Sequence, residues 1–121
     1  MTDSIRAGVQ ASQLPVAPLI RLAETCQAVP RLVRGGIIDR ASAVALIVIA
    51  ADQVCAPDDV CACGQGEIAR RAGTSQSYFA AACLPQLVEA GLVSRGRCGR
   101  RASYRVAWDA IRAAAADGRW Q

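Results

Sequence analysis

Nine consecutive apolar residues, Ala43 to Ala51, stand near the middle of the chain, and Asp39 precedes them at helix-capping distance. In a helix from Arg40 to Val54, such a run is apolar on nearly every side. A helix of that kind is buried on more than one face. It is therefore expected at the centre of the molecule, with the other elements packed around it. The run falls far short of the about 20 apolar residues that cross a bilayer, so it reads as a core helix and not as a membrane span.

The chain has 121 residues, which suits one domain. Hydrophobic residues make up 53% of it, but only five residues are aromatic, so the core must come mainly from Ala, Val, Leu and Ile. Residues 1–15 read as a flexible tail, small and polar, ending at Pro15. From Ala17 to Ala28, Leu19, Ile20, Leu22, Ala23 and Cys26 recur at roughly helical spacing. Pro30 is expected to interrupt that helix, leaving a short turn from Arg31 to Arg34 before Gly35-Gly36. Residues 16–38 thus form an N-terminal helical extension, packed on the domain or on a partner subunit.

Beyond the central helix the chain is punctuated more closely. Cys55 to Gly64 begins as a loop, with Pro57, Asp58 and Asp59, and Val60 to Cys63 suits a very short strand. Gln65 to Ala72 reads as a helix ended by Gly73. Thr74 or Ser75 caps another, running from Gln76 towards Ala90. Pro85 lies inside that segment and predicts a kink or split near Leu84. After Gly91 the period changes. Leu92 to Arg95 reads as a strand, Gly96 to Gly99 as a turn, and Ala102 to Val106 as the returning strand, with Tyr104 and Val106 on one face. Trp108 to Ala116 returns to helix and ends at Gly118. The expected class is mainly α with a small β-hairpin.

The segment Gln65 to Phe79 carries a constellation of its own. Ile68 and Ala69 fall on the inner face of the first helix, and Ala69 is small where a second helix crosses. Gly73 permits the sharp turn between them. Ser75 caps the second helix, and Phe79 fills the angle between the two. Leu87, Ala90, Gly91, Leu92 and Val93 then lead into the hairpin. This arrangement resembles the bacterial winged helix-turn-helix transcription regulators over about Asp39 to Val106. The spacing from Gly73 to Gly91 is one residue longer than the usual pattern of that family. The resemblance implies a winged helix-turn-helix over residues 39–107, followed by a C-terminal helix over 108–121. It also implies a second helix that enters the major groove and a wing that lies on the duplex backbone or in the minor groove.

Charge agrees with a polyanionic partner. The net charge is +4, and its distribution says more than its size. Residues 1–93 hold seven Arg against eight acids, whereas Ser94 to Arg105 holds five Arg and no carboxylate. The residues expected at double-stranded DNA are accordingly Thr74, Ser75, Gln76, Ser77 and Tyr78 on the second helix, and Arg95, Arg97, Arg100, Arg101 and Arg105 on the wing. Gln76 suits adenine in the major groove. Beyond it, Ala80, Ala81, Ala82 and Cys83 offer little for base readout. Regulators of this kind bind as homodimers, so the segments 17–34 and 108–120 are the available dimerisation surfaces, with Trp108 and Trp120 as anchors. For Trp108 itself, closing the core beneath the wing is the preferred expectation.

The chain contains no His, no G-x-S-x-G and no phosphate-cradling loop, so no enzyme is expected. No cofactor is implied. The N-terminal MTDSIRAGVQ lacks a basic segment followed by an apolar one, and the reading is cytoplasmic with reduced cysteines. Cys26 and Cys83 are expected as small core residues. Cys55, Cys61 and Cys63, with Asp58 or Asp59 nearby, are the candidates for a metal or thiol sensor. The functional expectation is a sequence-specific DNA-binding repressor. The alternatives are a plasmid or phage replication or partition accessory protein, a protein-docking winged helix, and a thiol- or metal-responsive repressor.

Overall fold

The computed structural model describes residues 16–116. The helix α1 (Val16–Arg34) leads to α2 (Arg40–Cys55), and α3 (Gln65–Ala72) follows after a loop. A nearly continuous helical segment comes next: α4 (Gln76–Tyr78), a π-helical turn (Phe79–Cys83) and α5 (Leu84–Glu89). The strands β1 (Val93–Cys98) and β2 (Arg101–Val106) form an antiparallel hairpin, and α6 (Trp108–Ala116) ends the described chain. The proposed tail over 1–15, the helix end at Gly118 and the anchor Trp120 lie outside the described residues.

The apolar run takes the central place its pattern demands. Ala43, Ala45, Leu46, Ile49 and Ala50 of α2 are buried, and α1, α3, the π-helical turn, α5 and β2 all pack against this helix. Asp39 caps it as expected, its Oδ1 accepting from the Ser42 N–H at 2.7 Å. One core joins α1, through Ala28 and Leu32, to α6, through Ile111 and Ala114. The two segments flanking the middle of the chain pack on each other, and α1 packs on α2 as well. No helix among the described residues is long and apolar enough to cross a membrane.

Three local readings need correction. Pro30 does not interrupt α1, which runs through it to Arg34. A proline inside a helix removes one hydrogen bond and crowds the preceding turn. Here Ala28 and Leu32, buried on either side of Pro30, pin both halves of the helix to the core. The second correction concerns the hairpin: Gly96, Arg97 and Cys98 continue β1, and the loop is only Gly99-Arg100 between the paired Cys98 and Arg101. Gly96 stays in the strand because its partner Ser103 folds over it, with Oγ only 3.1 Å from where a Cβ would stand. Thirdly, Cys26 is exposed, whereas Cys83 is buried as expected.

The split near Leu84 takes the form of a π-helical turn. The Leu84 N–H bonds to the Phe79 carbonyl, one residue further back than in an α-helix. The wider turn absorbs one extra residue directly ahead of Pro85. It also brings Phe79, Cys83, Leu84 and Leu87 to the same buried side. Val60 to Cys63 is reduced to a single bridge, Cys61 to Tyr104, closed by two backbone hydrogen bonds of 2.9 Å. The buried Gln53 Oε1 accepts from the Val106 N–H at 2.6 Å and fastens β2 to α2.

Gly73 and Gly64 flank α3 in open space, but only Gly73 has a left-handed backbone, at φ +75°. Gly73→Ala should lower unfolding stability by about 1–2 kcal/mol, the cost of an L-residue in that conformation. Gly64→Ala, at φ −68°, should change it by less, because the gain of about 0.4–1 kcal/mol through the unfolded chain is offset by the poor capping of α3 by Ala. Urea melts of the two variants check the pair.

Candidate nucleic-acid interface

Two surfaces carry the residues singled out from the sequence. The first is the start of α4. Ser75 caps it, its side chain accepting from the Tyr78 N–H at 3.0 Å. Ser75, Gln76, Ser77 and Tyr78 are exposed and Thr74 is half-buried, so this end of the helix is open to a ligand. Two of these side chains, Ser75 and Tyr78, hydrogen-bond within the protein. The Tyr78 hydroxyl donates to Asp39 Oδ2 at 3.1 Å. The Gln76 amide lies against Gly66 of α3, its Oε1 3.1 Å from where a Cβ would stand.

Asp39 organises this corner. It caps α2, accepts from Tyr78, and accepts from Gln86 Nε2 at 3.0 Å. Gln86 Oε1 in turn accepts from the Asp39 N–H and the Ser42 hydroxyl. The backbone hydrogen bond from Ser42 is the main reason the Asp39 carboxyl is held below its ordinary pKa, with Gln86, Ser42 and Tyr78 side chains adding to it against a desolvation penalty. The Tyr78 hydroxyl is pushed the other way by its bond to Asp39. Sequence inspection found Asp39 as a cap but not Gln86, 47 residues further on.

The second surface is the hairpin. Arg95, Arg97, Arg100, Arg101 and Arg105 are all exposed. Strand alternation and the register set their directions. Arg95 and Arg97 lie on the face shared by Tyr104 and Val106; Arg101 and Arg105 lie on the opposite face, and Arg100 is in the loop. The guanidinium groups therefore project from both faces of a narrow ribbon. Among the described residues none of the five forms an ion pair, whereas Arg21, Arg70, Arg71 and Arg112 each meet a carboxylate. A cleft of about 370 Å³ beside the hairpin is lined by Arg95, Arg97, Arg105, Ser94, Ser103 and Asp58, among others.

A separate cluster lies behind the hairpin, where the bridge meets α2. The Cys63 thiol donates to Asp52 Oδ1 at 3.2 Å, and Cys61, Cys63 and Asp52 hold their ligand atoms within 4.8 Å of one another. Burial pushes the Cys61 thiol up to about 12, with Asp52 adding to the effect. Cys63 is raised for the same two reasons. Cys55 stands exposed and outside this group. Asp58 and Asp59 are outside it too, since Asp59 turns to Arg21 and Gln53. Asp52 was not legible as the partner of the cysteines, because it comes from the preceding helix. Trp108 is half-buried against the core, with Arg21 stacked 5.2 Å from its ring. Comparison with known proteins finds no matching family model, no matching curated relative and no matching solved structure.

The lowered Asp39 pKa has a defined consequence for acid stability. A carboxylate held below its ordinary value of 3.8 stabilises the fold fully above that value. It loses the contribution as pH falls through the lowered folded value. Asp39→Asn keeps a capping oxygen but cannot titrate, so its melting temperature should depend less on pH below 3.8 than that of the parent. Asp39→Ala should in addition cost about 1 kcal/mol at neutral pH through the lost cap. Thermal melts across pH 2–7 test both.

Proposed function

We propose that this protein binds double-stranded DNA through a winged helix-turn-helix and acts as a transcriptional repressor. In this reading α3 and the α4–α5 segment are the helix-turn-helix, and the hairpin is the wing. The observation that carries it is the concentration of arginine on the hairpin. Among the described residues, four body arginines are matched by carboxylates and Arg31, Arg34 and Arg40 are not, but five exposed arginines without an ion pair share one short ribbon, and the leading end of α4 is open. Unmatched guanidinium groups repel one another and gain most from a phosphate-bearing partner.

Their placement on both faces favours a particular mode. The minor groove is about 6 Å wide and is walled by phosphates on both sides. A ribbon charged on both faces meets both walls, whereas one charged on a single face meets one. Thr74, Gln76 and Ser77 are left to face base edges, since the Ser75 and Tyr78 side chains hydrogen-bond within the protein. Affinity then comes mainly from the backbone, and discrimination between sequences mainly from groove shape. A homodimer fits this mode, because paired half-sites lie about 34 Å apart. The exposed Val16, Leu19 and Ile20 at the start of α1 supply an apolar surface for it. A cytoplasmic location accompanies this reading.

The internally bonded Ser75 and Tyr78 also favour a second reading, a replication or partition accessory protein that needs DNA affinity more than base selectivity. An unbiased selection of bound duplexes separates the two: a defined motif supports the repressor, and a flat profile supports the accessory protein.

Binding should be strongly salt-dependent. Five phosphate contacts predict a slope of about −4 to −5 for log K against log salt. Replacing Arg97, Arg100 and Arg101 by Gln should make that slope shallower by about one for each arginine removed. Fluorescence anisotropy with labelled duplex, including the gene's own upstream region, gives both numbers. No binding to any duplex at about 50 mM salt, or a slope untouched by the three substitutions, contradicts the proposal.

A further inference from the structure

We infer that Asp52, Cys61 and Cys63 form a binding site for a thiophilic divalent ion of the Zn²⁺ class. The site stands on its own geometry and does not depend on the nucleic-acid reading. Two sulfur donors and one oxygen favour Zn²⁺ and its soft relatives over Mg²⁺ or Ca²⁺, which take oxygen ligands. Around a tetrahedral Zn²⁺, with Zn–S about 2.3 Å and Zn–O about 2.0–2.2 Å, ligand atoms stand roughly 3.5–3.8 Å from one another. The three ligand atoms here lie within 4.8 Å, and Cys63 Sγ is 3.2 Å from Asp52 Oδ1, so small side-chain rotations complete the geometry.

Charge also closes. Binding releases the two thiol protons to solvent, giving two thiolates and a carboxylate. A divalent ion leaves a single negative charge, and the Arg71 guanidinium, 3.9 Å from Asp52, offsets it. Asp52 and Cys63 are half-buried, so water reaches the fourth position from that side, while Cys61 is wholly buried. The donors are also held in place. Cys61 is fixed by its paired backbone hydrogen bonds to Tyr104, and Asp52 sits on the central helix. An ion here links α2, the bridge to β2 and, through Arg71, α3.

The test uses the full chain, reduced and freed of metal. Titration with Co²⁺ should give an intense near-ultraviolet thiolate-to-metal band that saturates at one ion per chain and is displaced by Zn²⁺. Zn²⁺ should also raise the melting temperature by several degrees. Cys63→Ser should abolish the band. Asp52→Asn should weaken Zn²⁺ affinity by more than the about 10- to 100-fold typical of changes behind the ligands. Cys55→Ser and Cys98→Ser should leave it unchanged. Both test positions are only half-buried, and far-ultraviolet circular dichroism confirms that each variant is folded. Absence of the band in the parent protein overturns the site. So does a band that survives Cys63→Ser, or one lost in Cys55→Ser.

Discussion

The arrangement of this molecule depends on polar contacts at the two ends of one otherwise apolar helix. Apolar burial is non-directional. A helix such as α2, greasy round its circumference, accepts neighbours in many orientations. Orientation comes from its termini. At the N-terminal end, Asp39 and Ser42 take hold of Gln86 and Tyr78, which fixes the α4–α5 segment. At the other end Gln53 holds Val106 of the hairpin, while Asp52 faces Arg71 of α3. The helix pair and the hairpin are thus both referred to the same rod. The cost of breaking such a contact is large where it is buried: removing the Gln53 acceptor strands the Val106 N–H, a loss of about 1–3 kcal/mol.

Electrostatics divides the surface along the same lines. Body arginines serve the fold: Arg70 and Arg71 share Glu67, Arg112 meets Glu24, and Arg21 meets Asp59 while covering Trp108. Exposed pairs of this kind contribute little stability individually. Arg31, Arg34 and Arg40 form no ion pair among the described residues either, so what sets the hairpin apart is that five such arginines share one short ribbon. The proposed role in DNA binding rests on that concentration and on the open start of α4.

Much of this was legible because it is local. Asp39 before an apolar run, Ser75 two residues after Gly73, and the alternation of Tyr104 and Val106 each declare a cap, a turn or a strand face within a few residues. Pro85 and the one-residue excess before Gly91 foretold a disturbed helix, and the π-helical turn is how the backbone accommodates it. The misreadings are cases where distant packing prevails over a local signal. Pro30 is carried by buried neighbours on both sides, and Gly96 stays in its strand because Ser103 needs the space. The same limit hid the pairing of Asp52 with the cysteines and of Gln86 with Asp39. Nothing near a residue in sequence tells which side chain from another helix will arrive beside it.

The central claim is that the start of α4 and the arginine hairpin, both oriented by α2, engage one duplex together. Amide chemical shifts of isotope-labelled protein, followed during titration with a short DNA duplex, address it most directly. The account predicts that resonances of residues 74–77 and 94–105 move together along a single binding curve, while those of α1 and α6 stay largely in place. Perturbation confined to only one of those two surfaces, or centred instead on α1 and α6, contradicts it.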